Sequence, residues 1–430
     1  MSSETVSRTA GETASSASPS RLAIAAFAAM MALYFFSYFQ RVGVPGTIFN
    51  ELQVEVGLSA VSIAMLGSMF TWIYGGMQIV VGFAADRYGG ARAFLAGGAL
   101  LVAGSFWFPL ADAPAAMFAA RALTGLGASF MYLSLVKEIA RIFGDARFTH
   151  WVGVLIGIGY AGGLTGTLPF ERLSSTFGWR PTLTAVAAAM ALAYLAALLL
   201  LRRFGPDRTA GIPVRLSLLG EVLRDRRCRP LMVTSAIAFP IMFVIQTVLG
   251  KKFLEDFGGL ASASAATVIM AMAAANVVCV TLGGVLPQRL GGRRRPWIML
   301  GASCVVAATA CLLLGTWLKA PGWVFILGYL LLSGSALASP SNITTIKELS
   351  RPEAVAIAIS LSNGLSYLGS GVIGQIGGGM LASRRGEAVE TASGIVYPDA
   401  AYLALSVFLA ALALVNFHFA SQAPETGRPR

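Results

Sequence analysis

The eleven residues Gly82–Arg92, GFAADRYGGAR, decide how the rest of the chain is read. They lie between two apolar stretches and return as GVLPQRLGGRR at Gly284–Arg294, 202 residues further on. Each copy sets a polar pair, Asp86-Arg87 or Gln288-Arg289, between two glycines and follows with an arginine, Arg92 or Arg294. Two more pairs keep the same order. VKEIAR at Val136–Arg141 matches IKELSR at Ile346–Arg351, and Gly57-Leu58 matches Gly259-Leu260. Matches at nearly constant spacing indicate an internal duplication. The boundary is the polar stretch 204–228, with Pro206 and Pro213. Its segment LSLLGEVLRDRR reads either as an amphipathic helix at a membrane surface or as a solvated basic linker.

On both sides of these loops the chain is apolar. Of 430 residues, 56% are hydrophobic and 12% charged, about half the charge of a soluble domain. That excludes an ordinary soluble enzyme and a disordered chain. A helix needs about 20 apolar residues to cross a bilayer. Twelve such spans are predicted, at 22–48, 59–84, 91–110, 114–143, 147–170, 180–203, 230–252, 261–289, 296–317, 322–347, 353–382 and 399–421. The expected protein is all-α and polytopic, with two six-helix bundles, 21–203 and 229–421. The linker 204–228, a disordered tail 1–20 and a tail 422–430 complete it.

Lysine and arginine number 32 against 20 acids, a net charge of +12. With both termini in the cytosol, 23 of the 32 cations fall on the cytosolic side and seven outside, as the positive-inside rule requires. The excess is therefore an orientation signal, and no nucleic-acid partner is expected. Arg41 and Arg121 remain, both inside spans. Arginine outnumbers lysine 27 to 5, a composition that suggests a bacterial inner-membrane protein. Cys228, Cys279, Cys304 and Cys311 show no metal-ligand spacing, and His150 and His418 are the only histidines. Neither a metal nor a cofactor is expected, and without a nucleotide loop or clustered acids an enzyme or sensor is disfavoured.

The loop Gly82–Arg92, its copy, Arg121-x-x-x-Gly125-x-Gly127 and Gly178-Trp179-Arg180 resemble the major facilitator superfamily of secondary transporters over about residues 20–420. The resemblance implies two bundles related by an axis along the membrane normal, with a central site reached by alternating access. It also implies that spans two and eleven, and five and eight, slide past each other. Glycines punctuate spans five and eleven, which lets backbones approach in lipid. Span five lacks the Gly-Pro pair typical of drug/proton antiporters of the superfamily; Pro169 follows Leu168. Gly82, Asp86, Arg87, Gly89 and Arg92, with Gln288 and Arg289, are the expected gate. Asp86 can accept from a helix N-terminus and from arginine, whereas Gln288 leaves the second latch without its acid.

Tyr34, Ser37, Tyr38 and Arg41 share one face of span one. An arginine in a span costs about 2.5–3.5 kcal/mol on insertion scales, so it seeks a watery cavity, a partner or the interface. The stretch Tyr34–Pro45 is similar to the first helix of organophosphate:phosphate exchangers and related organic-anion carriers, which implies that Arg41 binds an anionic head group. Those carriers hold a second arginine on span seven, where Gln246 or Thr247 stands here. Lys251 and Lys252 lie further out and are expected to snorkel to the outer interface. Asn276, Asn363 and Tyr367 are candidates for the second half of the cavity, with Tyr74 and Gln78 on span two. Arg121 is read as a packing and coupling residue. All 20 acids are placed outside the deep parts of spans, Glu171 nearest to an exception. Buried positive charge without buried negative charge points to a small organic anion, moved by exchange or proton symport. The alternative is a carrier or exporter of a neutral or hydrophobic compound. A monomer in a lipid bilayer is expected.

Overall fold

The computed structural model describes residues 20–204, 217–391 and 394–427. Nearly all of the expected N-terminal tail and the middle of the linker lie outside them. Ser20 caps span one, its Oγ accepting from the Ala23 backbone N–H at 3.2 Å. The helix runs Arg21–Gly43 and stops short of the expected bound, because Val44 precedes Pro45 and is extended. A turn, Gly46–Ile48, and a short helix, Phe49–Glu55, follow. Span two is split at Met77 into Ala60–Gly76 and Gln78–Tyr88. Spans four and five are separated by Gly144, with φ 66°. Span seven carries a π-turn, Ile245–Leu249, and span ten a tight turn, Gly334–Leu337.

Among the described residues, ten helices are long and apolar enough to cross a membrane. The split second span and the glycine-rich eleventh, Val355–Ala382, are not among the ten. One element departs from the all-α expectation. Strands β1 (Val389–Thr391) and β2 (Gly394–Val396) form an antiparallel hairpin between spans eleven and twelve.

The duplication shows in the backbone. Gly89 and Gly291 have φ 87° and 88°, and Gly57 and Gly259 have φ 71° and 63°. Glycine takes these values most readily, which fits its recurrence at both turns in each copy. Packing repeats as well. In the first bundle, span one packs on six, and three on four and six; in the second, seven packs on twelve, and nine on ten and twelve. Across the bundles, two meets eleven and five meets eight, each pair being the other's counterpart. Close approach there is built on glycine. A Cβ on Gly371 of span eleven would lie 2.1 Å from the Trp72 indole nitrogen of span two. Within the first bundle, one on Gly162 of span five would lie 2.0 Å from the Phe35 carbonyl.

Candidate functional site

Between the bundles lies a cavity of about 400 Å³. Its lining reaches Ile156 of span five, Ile343 of span ten and Ile359 of span eleven. These lie within about three turns of the end where the linker emerges, called here the linker end. Toward the opposite, far end the lining stops at Val42 and Gln246.

Arg41 lines this cavity and is 3% exposed. Its guanidinium carbon lies 4.3 Å from the Tyr38 ring centre, 4.2 Å from Tyr74 and 5.3 Å from Tyr367. Nη1 donates to the Tyr367 hydroxyl at 2.7 Å, while Nε has no partner among the described residues. No carboxylate pairs with it among the described residues. Aromatic faces attract the cation but leave its charge uncompensated. Tyr38, Gln246, Asn276, Asn363 and Tyr367 also line the cavity. The π-turn lies in the segment that carries Gln246, and Asn363 Nδ2 donates to Gln78 Oε1 across the bundles at 3.1 Å. Tyr34 sits one layer behind, edge-on to Tyr38 at 5.1 Å. Tyr132, Tyr160, Ser235 and Asn342 belong to the lining too and were not singled out from the sequence.

Arg121 does not reach the cavity. Its guanidinium donates to the carbonyls of Leu66, Gln40 and Val44 at 3.4, 3.1 and 2.9 Å. It thereby ties span four to spans one and two, and to the chain just past span one that span-end proline leaves without helical bonds.

At the far end the bundles touch. Gly46 packs so close that a Cβ there would lie 2.3 Å from the Thr247 carbonyl. Lys251 and Lys252 do not snorkel; both are buried and turned toward the first bundle. Lys251 donates to the Thr47 carbonyl at 2.7 Å and Lys252 to Asn50 Oδ1 at 2.8 Å. Each pairs one turn on within its own helix, Lys251 with Glu255 at 3.3 Å and Lys252 with Asp256 at 2.8 Å. Asn50 returns a bond to Glu255 at 2.8 Å. The hairpin end joins in. Gln53 donates to the Tyr397 hydroxyl, and Asp256 accepts from the Tyr397 N–H and, at 2.6 Å, the Tyr402 hydroxyl. Burying these amines costs less than burying bare charges, because acid and acceptor are supplied together. The acids also depart from expectation: Glu138 and Glu171 are buried, Glu138 paired with Arg141 at 2.9 Å.

A methyl at position 46 should therefore oppose closure of the far end. Gly46→Ala is expected to lengthen the distance between spin labels at the exposed Val54 and Val389, with unchanged melting. An unaltered distance distribution would count against this packing role.

Glu51, on the short helix beyond span one, has its carboxyl held above the usual range by burial; Glu255 and Glu55 add to this and Lys251 opposes it. Its Oε2 has no partner among the described residues. A raised acid binds its proton more tightly in the closed form. The resulting stabilisation of closure is present below the ordinary value of 4.5 and lost as pH rises through the raised one. The Val54–Val389 distance should thus shorten on acidification, and Glu51→Gln should flatten that response. A variant that keeps the wild-type pH dependence would refute the assignment.

At the linker end, Arg87, Arg92, Gln288 and Arg289 are exposed; the side chain of Asp86 is outside the description. Gly82 lies 4.0 Å from Leu133 of span four, measured from a Cβ built on it. In the second copy an acid is supplied from elsewhere. Glu425, past span twelve, accepts from the backbone N–H groups of Arg294 and Arg295 at 2.7 and 3.2 Å. These open span nine, where the helix dipole favours an anion.

The family model of the Major Facilitator Superfamily matches residues 30–375. The chain belongs to this superfamily. Membership of this family sets it with transporters rather than enzymes. The fold of this facilitator matches that of a nucleoside transporter, with TM-score 0.74 and 14% identity over 94% of this chain and 100% of that one. A bacterial homologue of the lysosomal transporter Spinster gives TM-score 0.73 at 16% identity over 94% and 97%. Among curated proteins, the cephamycin export protein of Amycolatopsis lactamdurans is 29% identical over 40% of this chain and 35% of its own length. The puromycin resistance protein of Streptomyces alboniger is 30% identical over 41% and 36%. The oxalate:formate antiporter of Oxalobacter formigenes is 28% identical over 30% and 29%. The facilitator thus aligns with roughly a third of each relative's length.

Proposed function

We propose that this facilitator carries a small organic anion, a carboxylate or organophosphate, by alternating access, as an exchanger or a proton symporter. The observation that carries the reading is Arg41: buried, roofed by aromatic rings, lining the central cavity and lacking an acid. An anion supplies the missing charge. Tyr38, Tyr367, Gln246, Asn276 and Asn363 complete the site, with Tyr34 supporting Tyr38. Arg121 holds span one in place and couples it to spans two and four. The bias of positive charge supports a cytosolic linker end, and the excess of arginine over lysine supports a bacterial inner membrane. The cavity is then reached from inside while the far end is shut by Gly46, Lys251 and Lys252. In the opposite state the loops with Gly82, Asp86, Arg87, Gly89 and Arg92, and with Gln288 and Arg289, close the linker end.

Counterflow into proteoliposomes loaded with a panel of carboxylates and organophosphates tests this. Accumulation of labelled anion that needs an anion on the other side, or a pH gradient, is the expected result. A second reading, export of a neutral or hydrophobic compound, draws on the export and resistance proteins among the relatives. Transport of neutral compounds with no anion moved at all would favour it and overturn the first.

A further inference from the structure

The two bundles furnish the cavity differently. The first contributes Arg41 and the phenol rings of Tyr38, Tyr74, Tyr132 and Tyr160. The second contributes neutral hydrogen-bonding groups, among them Ser235, Asn276, Asn342 and Ser362. Asn342 is 6% exposed. Its Nδ2 donates to the Leu231 carbonyl at 3.3 Å and to Ser235 Oγ at 2.7 Å. A backbone carbonyl only accepts, so the amide cannot be turned round: the oxygen faces away from that carbonyl. That Oδ1 has no partner among the described residues. Asn276 is 7% exposed, and its Oδ1 is also unpartnered among the described residues. Both residues line the cavity, and two buried orphan acceptors beside it call for donors from whatever fills it.

The kind of donor follows from charge. No aspartate or glutamate lines the cavity among the described residues, so an ammonium group would be buried without a counter-charge. A hydroxyl donates without that penalty. The anionic end is constrained in the same way. Arg41 is the one charged residue in the described lining, and it balances a single negative charge. A carboxylate carries one; a phosphate monoester carries about 1.5 to 2 near neutrality.

We infer that the substrate is a hydroxylated monocarboxylate, held with its carboxylate on Arg41 and its hydroxyls donating to the side-chain oxygens of Asn276 and Asn342. This rests on the organic-anion reading and narrows it. Arg41 and the asparagines then divide the work: the first sets affinity for the charge, the others the preference for hydroxyls over methylenes.

Gluconate and hexanoate are matched probes, both six-carbon monocarboxylates, and glucose 6-phosphate tests the charge. Equilibrium binding to the full chain in nanodiscs should rank gluconate at least about tenfold above hexanoate, as one or two buried acceptors require, and above glucose 6-phosphate. Asn342→Leu should erase most of the gluconate preference while hexanoate affinity holds or rises; Asn276→Ala, a milder change, should halve it or more. Equal binding of gluconate and hexanoate by the wild type, or a preference that survives both substitutions, overturns the inference with the anion reading intact. Tighter binding of glucose 6-phosphate overturns the monocarboxylate assignment alone. Failure of all three anions to bind the folded protein overturns the organic-anion reading as well.

Discussion

Arg41→Gln is expected to weaken anion binding and uptake by at least about 100-fold. Truncating one partner of a buried, hydrogen-bonded charge pair costs about 2–5 kcal/mol, and tenfold corresponds to about 1.4 kcal/mol. The upper part of that range applies, since no other cation lines the described cavity to take over. Lysine at position 41 should restore little. The guanidinium is flat and lies against the rings of Tyr38 and Tyr74, and it donates from Nη1 to Tyr367 while other N–H groups remain for the anion. An ammonium offers neither the plane nor the fork. Melting should stay level or rise, because the wild-type cation is buried without an acid. That combination, lost binding with retained stability, separates a ligand-binding residue from a packing one. Binding within threefold of wild type would remove Arg41 from the site.

Asp256→Leu should have the largest effect on stability, about 3–5 kcal/mol, the cost of breaking a buried ion pair from one side. The change strands Lys252, 1% exposed, with only Asn50 Oδ1 to accept from it. It also strands the Tyr402 hydroxyl and the Tyr397 N–H. The pair Lys252→Met with Asp256→Leu should recover much of the loss, because no bare charge remains. Thermal unfolding in one detergent measures both. Equal destabilisation by the single and double variants would show that the tyrosine contacts, and not the charge, carry the effect.

The halves of the molecule were legible because its duplication is written in residues with no substitute. Gly89 and Gly291, Gly57 and Gly259 hold backbone angles that other residues resist, so they mark equivalent turns in both copies. Arg41 was legible because a charge in an apolar run is costly wherever it points. What remained hidden depends on which helices meet. Lys251 and Lys252 near the end of an apolar run suit an interface with water as well as a buried contact. Only the arrival of Thr47 and Asn50 from the other bundle, with Glu255 and Asp256 a turn away, decides for burial. Tyr132, Tyr160 and Asn342 look like ordinary span residues until the cavity is drawn beside them. Glu425 lies 131 residues from Arg294, a distance over which no local pattern carries. The short hairpin has strands of three residues each, too few for alternation to register.

Each far-end lysine keeps its acid on its own helix, one turn away. When the far end parts, lysine and acid travel together, and the groups left behind, Thr47 and Asn50, are neutral. The gate therefore moves almost no net charge through the membrane's electric field. Arg41 does carry charge, and in the proposed cycle its sign is cancelled only when an anion is aboard. Electrophysiology should accordingly find the reorientation of the empty carrier sensitive to membrane potential, by up to about 2.3 kcal/mol per 100 mV for a full crossing of one charge. The loaded, neutral carrier should turn over at a rate nearly independent of voltage.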